Sequence, residues 1–215
     1  MDSKILLAIE TSSNICSVAI IKRYKILSVI ENNAQKQHVE IIPSYVEQAM
    51  DQSKISIDNL DAIALSIGPG SFTGLRIGLG FSKGIAYAKK IPIIPIPSLL
   101  SLAFSVKEKK PKKGIMHSHA KKVFYQEFKW HNEIPFIKTE PVVGDIHDFS
   151  PKLDGGFQYN CEKITGEKFY LDEAIPSAVS IGLLGTTFFD DWAIEDTFRM
   201  VPDYIAPFAV GSHAK

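Results

Sequence analysis

Two cysteines in 215 residues, Cys16 and Cys161, leave no room for a disulfide framework. They read as buried thiols in a reducing compartment. Long apolar runs are missing too, since none reaches the ~18 residues that span a bilayer. The opening MDSKILLAIETSS has an acid at Asp2 and too short an apolar segment for a secretory signal. A cytoplasmic protein without membrane contact is the expectation. Net charge is absent as well, 24 basic residues balancing 24 acidic ones. That argues against a surface given over to gripping nucleic acid, which rests on clustered Lys and Arg. Arginine is scarce, with Arg23, Arg76 and Arg199 against 21 lysines. Arg76 therefore stands out as the choice of a forked donor over a point charge. There is no GK[ST] phosphate loop and no GxSxG nucleophile turn.

What is present is a regular alternation of elements. Residues 4–11, 15–22 and 25–31 are apolar, β-branched runs separated by breaks of two or three residues, a spacing that predicts antiparallel neighbours. Residues 38–52 carry Val39, Ile42, Val46 and Met50 at helical spacing. A strand over 62–67, a glycine-rich helix, a strand over 91–96 and a helix opening at Ser98 as N-cap follow. The order βββαβαβα predicts a mixed sheet with helices on both faces. Beyond the lysine run 107–113 (KEKKPKK), read as an exposed connection between two lobes, 114–119, 121–130 and 136–143 read as strands. Residues 177–189 read as a helix loosened by Gly182 and Gly185.

Residues 66–90 hold six glycines, Gly68, Gly70, Gly74, Gly78, Gly80 and Gly84, in a stretch that otherwise reads as turn and helix. Each glycine in a helix interior costs about 0.5–1 kcal/mol against alanine, so something must approach the backbone closely. Strand, Gly68-Pro69-Gly70 turn and a helix capped by Ser71 also match the general layout of an anion site. The dinucleotide fingerprint fails, because Gly74 falls one residue too far along and no acid follows about 20 residues on. Gly74, Gly78 and Ser82 form a small-residue stripe on one helix face, and a subunit interface is the favoured use of it over packing on the chain's own sheet. His117 and His119 could share a strand face, but two imidazoles without a third ligand do not predict a metal site. Glu10, ending the first strand, is either a holder of a metal-bound water or a buried carboxylate satisfied by backbone donors.

The segments AIETSSNICSVAI, IGPGSFTGLRIGLGFSKGIAYA and IPIIPIPSLLSLA, spanning about residues 4–105, resemble the TsaB (YeaZ) family of tRNA threonylcarbamoyladenosine biosynthesis proteins, and VFYQEF (123–128) adds a weaker match. The resemblance implies an α/β fold of the actin-like ATPase (ribonuclease-H-like) type. It would have an N-terminal lobe over 1–105 and a reduced second lobe over 106–215, whose tail returns to the first from about 200. It implies a non-catalytic scaffold or activator that binds a TsaD-like catalytic subunit. A TsaE-like ATPase would join the assembly, the chain alone would form a homodimer, and its contact with tRNA would be indirect. The paralogue's HxxxH metal pair falls on Ser98 and Leu102, which cannot ligate.

Carried onto this sequence, Gly74, Arg76, Gly78, Ser82, Val39, Ile42 and Val46 are the implied contact positions. Glu10, Thr11, Ser12, Gly68 and Gly70 form the implied vestigial nucleotide turn. No cofactor is implied for the isolated chain, and ATP or ADP would bind only in the assembled complex. The chain departs from the family at His117-Ser118-His119, in place of Asp-Ala-Arg, and at Tyr204-Ile205-Ala206, in place of Tyr-Leu-Arg. An actin-like nucleotide hydrolase or small-molecule kinase using Glu10, Thr11 and the glycine turn is the alternative.

Overall fold

The two short breaks after residues 11 and 22 do fold the chain back on itself. In the computed structural model, which describes residues 4–33, 37–149, 153–165 and 170–205, β1 (Ile5–Glu10), β2 (Ile15–Lys22) and β3 (Lys25–Asn33) form an antiparallel meander. β4 (Ala62–Gly68) pairs parallel to β1, and β5 (Ile93–Pro97) parallel to β4, giving the order β3-β2-β1-β4-β5. Leu6 and Ala8 point to one face of β1, Leu7 and Ile9 to the other, and all four are fully buried. Such a strand needs cover on both sides.

α1 (His38–Ser53) and α2 (Phe72–Lys89) supply one cover, seating Ile42, Val46 and Leu79 on Leu7, Ile9, Val18 and Ile63. A single 3-10 turn, Ile57–Asn59, leads from α1 towards β4. α3 (Ser98–Ser105) lies on the other face. Its N-cap is Pro97 rather than Ser98: Ser98 is already the first helical residue, and its buried hydroxyl makes no hydrogen bond.

The second sheet runs β11-β10-β6-β7-β8, built from β6 (Lys113–His119), β7 (Lys122–His131), β8 (Ile134–Ile137), β10 (Phe157–Tyr159) and β11 (Asp172–Glu173). The run 136–143, expected as one strand, divides into β8 and β9 (Val142–Asp145). The two pair with different halves of β7, so the chain must turn between them. Short helices α4 (Ile146–Phe149) and α5 (Glu162–Thr165) flank this sheet. The lysine run forms the turn into β6, tied down by Lys107–Glu133 at 2.8 Å, by Lys109–Asp172, and by Trp130 Nε1 donating to the buried Pro111 carbonyl.

The chain comes back to the first sheet at α6 (Ala178–Thr187), well before residue 200; α7 (Phe189–Trp192) follows. Ser177 caps α6, and its hydroxyl donates to Glu31 at 2.8 Å, while the Ala178 amide donates to Ser17 Oγ at 2.9 Å. Gly182 and Gly185 do not loosen this helix. A Cβ on Gly185 would lie 2.6 Å from the Ala64 Cβ, and one on Gly182 3.0 Å from the Ala8 Cβ. Glycine opposite alanine lets the helix lie flat on the sheet, which joins the two lobes through one continuous core. Among the described residues no helix is long and apolar enough to cross a membrane.

Candidate functional site

The β1–β2 turn and the β4–α2 turn meet at the C-terminal ends of parallel β1 and β4, the place where open α/β sheets hold ligands. Here the two turns touch each other. The Ser71 amide donates to the Ser12 carbonyl at 2.7 Å, and the Thr11 amide donates to Ser66 Oγ at 3.2 Å. Ser71 caps α2 as the sequence predicts, its hydroxyl accepting from the Gly74 amide at 3.2 Å.

This contact accounts for half of the glycines. A Cβ on Gly70 would overlap the Ser12 carbonyl, one on Gly74 the Thr11 carbonyl, and one on Gly78 the Thr11 hydroxyl. Gly74, Gly78 and Ser82 are all buried in the single chain. The stripe expected as a docking face is therefore turned onto the chain's own sheet, because β1 runs on into a turn that lies across α2. Gly68 is a separate case, with φ at +122° and the Asp203 carbonyl 2.7 Å from where a Cβ would stand.

The helix face that remains open carries Thr73, Arg76, Gly80, Gly84 and Tyr87. Nothing lies within 4 Å of a Cβ built on Gly80 or Gly84. Beside it on α1, Ile42 and Val46 point into the core, whereas Val39 is 63% exposed. Of the contact positions implied by the resemblance, only Arg76 and Val39 reach the surface. Arg76 is already engaged within the chain: its Nε donates to the Tyr204 hydroxyl at 2.8 Å, and its guanidinium lies 3.7 Å over the Phe72 ring.

Glu10 is wholly buried, and its Oε1 accepts from the Ser12 amide at 2.5 Å. Burial raises its pKa above the ordinary carboxylate value, and the hydrogen bonds from Ser12 only oppose that shift. This matches a carboxylate satisfied by backbone donors. Between the lobes lies a cleft of about 810 Å³, with Ser12, Ser13, Gly70 and Ser71 on one wall and Ser118, His119 and Lys122 on the other. The two histidines make local contacts, His117 Nε2 with the Ala120 carbonyl and His119 Nδ1 with Ser118 Oγ, each at 3.1 Å. A bulge between them breaks the shared face that the i, i+2 spacing predicts. Among the described residues no three His, Cys, Asp or Glu side chains gather where a metal could sit. Leu102, like Ser98, faces the core.

Three features escaped the sequence reading: the Tyr159 phenol in the cleft, pushed up by burial against its hydrogen bond with Ser13, and the Lys83 and Tyr204 contacts of the tail. No periodicity marks residues 196–205, and Tyr204 entered the sequence analysis only as part of a departure from the family's Tyr-Leu-Arg, with no contact assigned to it. Ala206 lies outside the described residues.

Residues 17–127 match the family described as TsaD: tRNA N6-adenosine threonylcarbamoyltransferase. The chain is 34% identical over 158 residues to the tRNA threonylcarbamoyladenosine biosynthesis protein TsaB of Buchnera aphidicola subsp. Schizaphis graminum, covering 70% of this chain and 75% of that one. To the Haemophilus influenzae protein of the same name it is 37% identical over 103 residues, 48% of this chain and 43% of the relative. Among solved structures, YeaZ from Pseudomonas aeruginosa superposes with a TM-score of 0.80 at 21% identity, covering 94% of this chain and 99% of that one. That likeness carries the actin-like fold. With the fold from the structural match and the descent from the sequence matches, the chain belongs to the TsaB (YeaZ) family.

Proposed function

We propose that this chain acts in tRNA threonylcarbamoyladenosine biosynthesis as a non-catalytic subunit that docks a TsaD-like catalytic partner through the outward faces of α1 and α2. The observation that carries the non-catalytic half is the direct hydrogen bond between the two turns, Ser71 amide to Ser12 carbonyl at 2.7 Å. Turns that cradle phosphate leave their amides for the ligand; here one of them is already spent on the opposite turn. Ser98 and Leu102, both in the core, add no ligand for a metal.

The docking half rests on the outward face of α2. Gly80 and Gly84 stand one turn apart with open space above them, flanked by half-buried Ile77, Phe81 and Ile85, and Val39 is exposed on α1. Small residues between apolar ones let a partner helix approach closely. In this reading the isolated chain pairs with itself through the same face, a TsaE-like ATPase joins the assembly, tRNA is reached only through the complex, and the setting is the cytoplasm. ATP or ADP enters only at the assembled site.

The test is a Gly84→Arg variant mixed with the TsaD-like subunit and run on size exclusion. Arginine in that open space leaves the fold intact, so the variant should remain folded and fail to co-elute. A co-eluting complex would sink the docking face. The interlobe cleft of about 810 Å³ favours a second reading, a nucleotide-binding hydrolase. Calorimetric titration with ATP and Mg²⁺ separates the two, since micromolar binding to the isolated chain would favour the hydrolase.

A further inference from the structure

The last described stretch, residues 198–205, has neither helix nor strand, yet it crosses α2 and ends in the interlobe cleft. Its attachments are few. Lys83 Nζ donates to the carbonyls of Phe198 at 2.9 Å and Met200 at 2.8 Å. The Asp203 amide donates to the Ile67 carbonyl at 2.8 Å. Tyr204 is held by Arg76 Nε and by Phe72, whose ring centroid lies 4.9 Å from its own. Met200 packs against the core beneath α1 and α2, and Pro202 is buried; Phe198 and Val201, by contrast, are 88% and 71% exposed.

Position turns these contacts into a device. Asp203, Tyr204 and Ile205 form part of the cleft wall, opposite Ser118 and Lys122. Of these three, Tyr204 hangs on Arg76 and Asp203 on the Ile67 carbonyl, while Lys83 holds the upstream end of the segment at Phe198 and Met200. Hydrogen bonds of that kind are individually weak, and a segment outside the sheet ladder, with Phe198 and Val201 largely exposed and Met200 and Pro202 as its inward anchors, opens at lower cost than the sheet beneath it. We propose that residues 198–205 are a releasable strap that closes one side of the interlobe cleft, with Arg76 and Lys83 as its latches. Arg76 is the more specific latch, because the forked guanidinium can stack on Phe72 while Nε reaches the Tyr204 hydroxyl, a pairing lysine cannot reproduce. The proposal stands whether or not α2 is the docking face.

The test uses the chain's own scarcity of thiols. Cys16 and Cys161 are buried, so Ser118→Cys places a single accessible thiol on the wall facing the strap. In that background Arg76→Ala with Lys83→Ala should raise the rate of labelling by a thiol reagent about tenfold, the equivalent of about 1.4 kcal/mol. Hydrogen exchange at the Asp203 amide should quicken in parallel. Tyr204→Phe, which removes one oxygen and leaves the packing in place, should move both readouts in the same direction by less, and thermal melts of all variants confirm that the fold persists. Unchanged labelling and unchanged exchange would overturn the latches. Faster exchange with unchanged labelling would overturn the closing role, since the strap would then come away without opening the cleft.

Discussion

Gly74→Ala and Gly84→Ala are the same chemical change on the same helix, ten residues apart, and the structure assigns them opposite signs. At Gly84 an added methyl meets open space, so only the backbone term acts. Alanine should stabilise by up to about 1 kcal/mol there. At Gly74 the methyl would overlap the Thr11 carbonyl oxygen, a backbone atom fixed by the Thr11 amide's bond to Ser66 and by the pairing of β1 immediately before it. No rotamer change can relieve that overlap. Overpacking costs about 1–3 kcal/mol where side chains can adjust, and more where they cannot. A net loss of about 3 kcal/mol is therefore expected. For a chain of this size each kcal/mol moves the melting temperature by about 2–4 °C, which puts Gly74→Ala about 6–12 °C below the parent and Gly84→Ala about 2–4 °C above it. Differential scanning calorimetry, with urea melts to check that m is unchanged, reads both. If Gly74→Ala melts at or above the parent, the turn does not press on α2, and the inward orientation of the stripe is wrong.

Glu10→Gln should stabilise the chain at neutral and alkaline pH. The folded-state pKa is raised by burial, so the ionised side chain costs stability above its ordinary range near 4.5, and the cost disappears as pH falls below that value. Urea melts at pH 8 and pH 4.5 should show a gain that shrinks towards the lower pH; a gain that grows on acidification would reverse the assignment. Burial pushes the thiols of Cys16 and Cys161 up to about 12, with the Glu10 carboxylate adding to the shift at Cys16. Neither should react with a disulfide reagent at pH 8 until the chain is unfolded, when two thiols per chain should appear; a rapid native-state reaction would place a thiol at the surface.

The first half of the fold was legible because its strands are short, apolar and set off by breaks of two or three residues, which leave few ways to pair. Ala178–Thr187 was legible as a helix, but its destination was not. That Gly182 and Gly185 face Ala8 and Ala64 depends on residues more than a hundred positions away. The same limit explains the misdirected stripe. Gly74, Gly78 and Ser82 recur every four residues, and so do Gly80 and Gly84, so spacing alone cannot say which set meets the sheet. The structure decides through Thr11. β10 and β11, of three and two residues, are too short for any period to register, and the strap has no pattern because its few contacts, hydrogen bonds and isolated side chains such as Met200 and Tyr204, follow no repeat.

Hydrogen exchange on the chain alone and with a TsaD-like subunit tests the central claim most directly. Docking through the outward faces predicts new protection confined to α1 (His38–Ser53) and α2 (Phe72–Lys89), with the second sheet unchanged. Protection that falls on β6 and β7 and leaves both helices exchanging as in the free chain would contradict it.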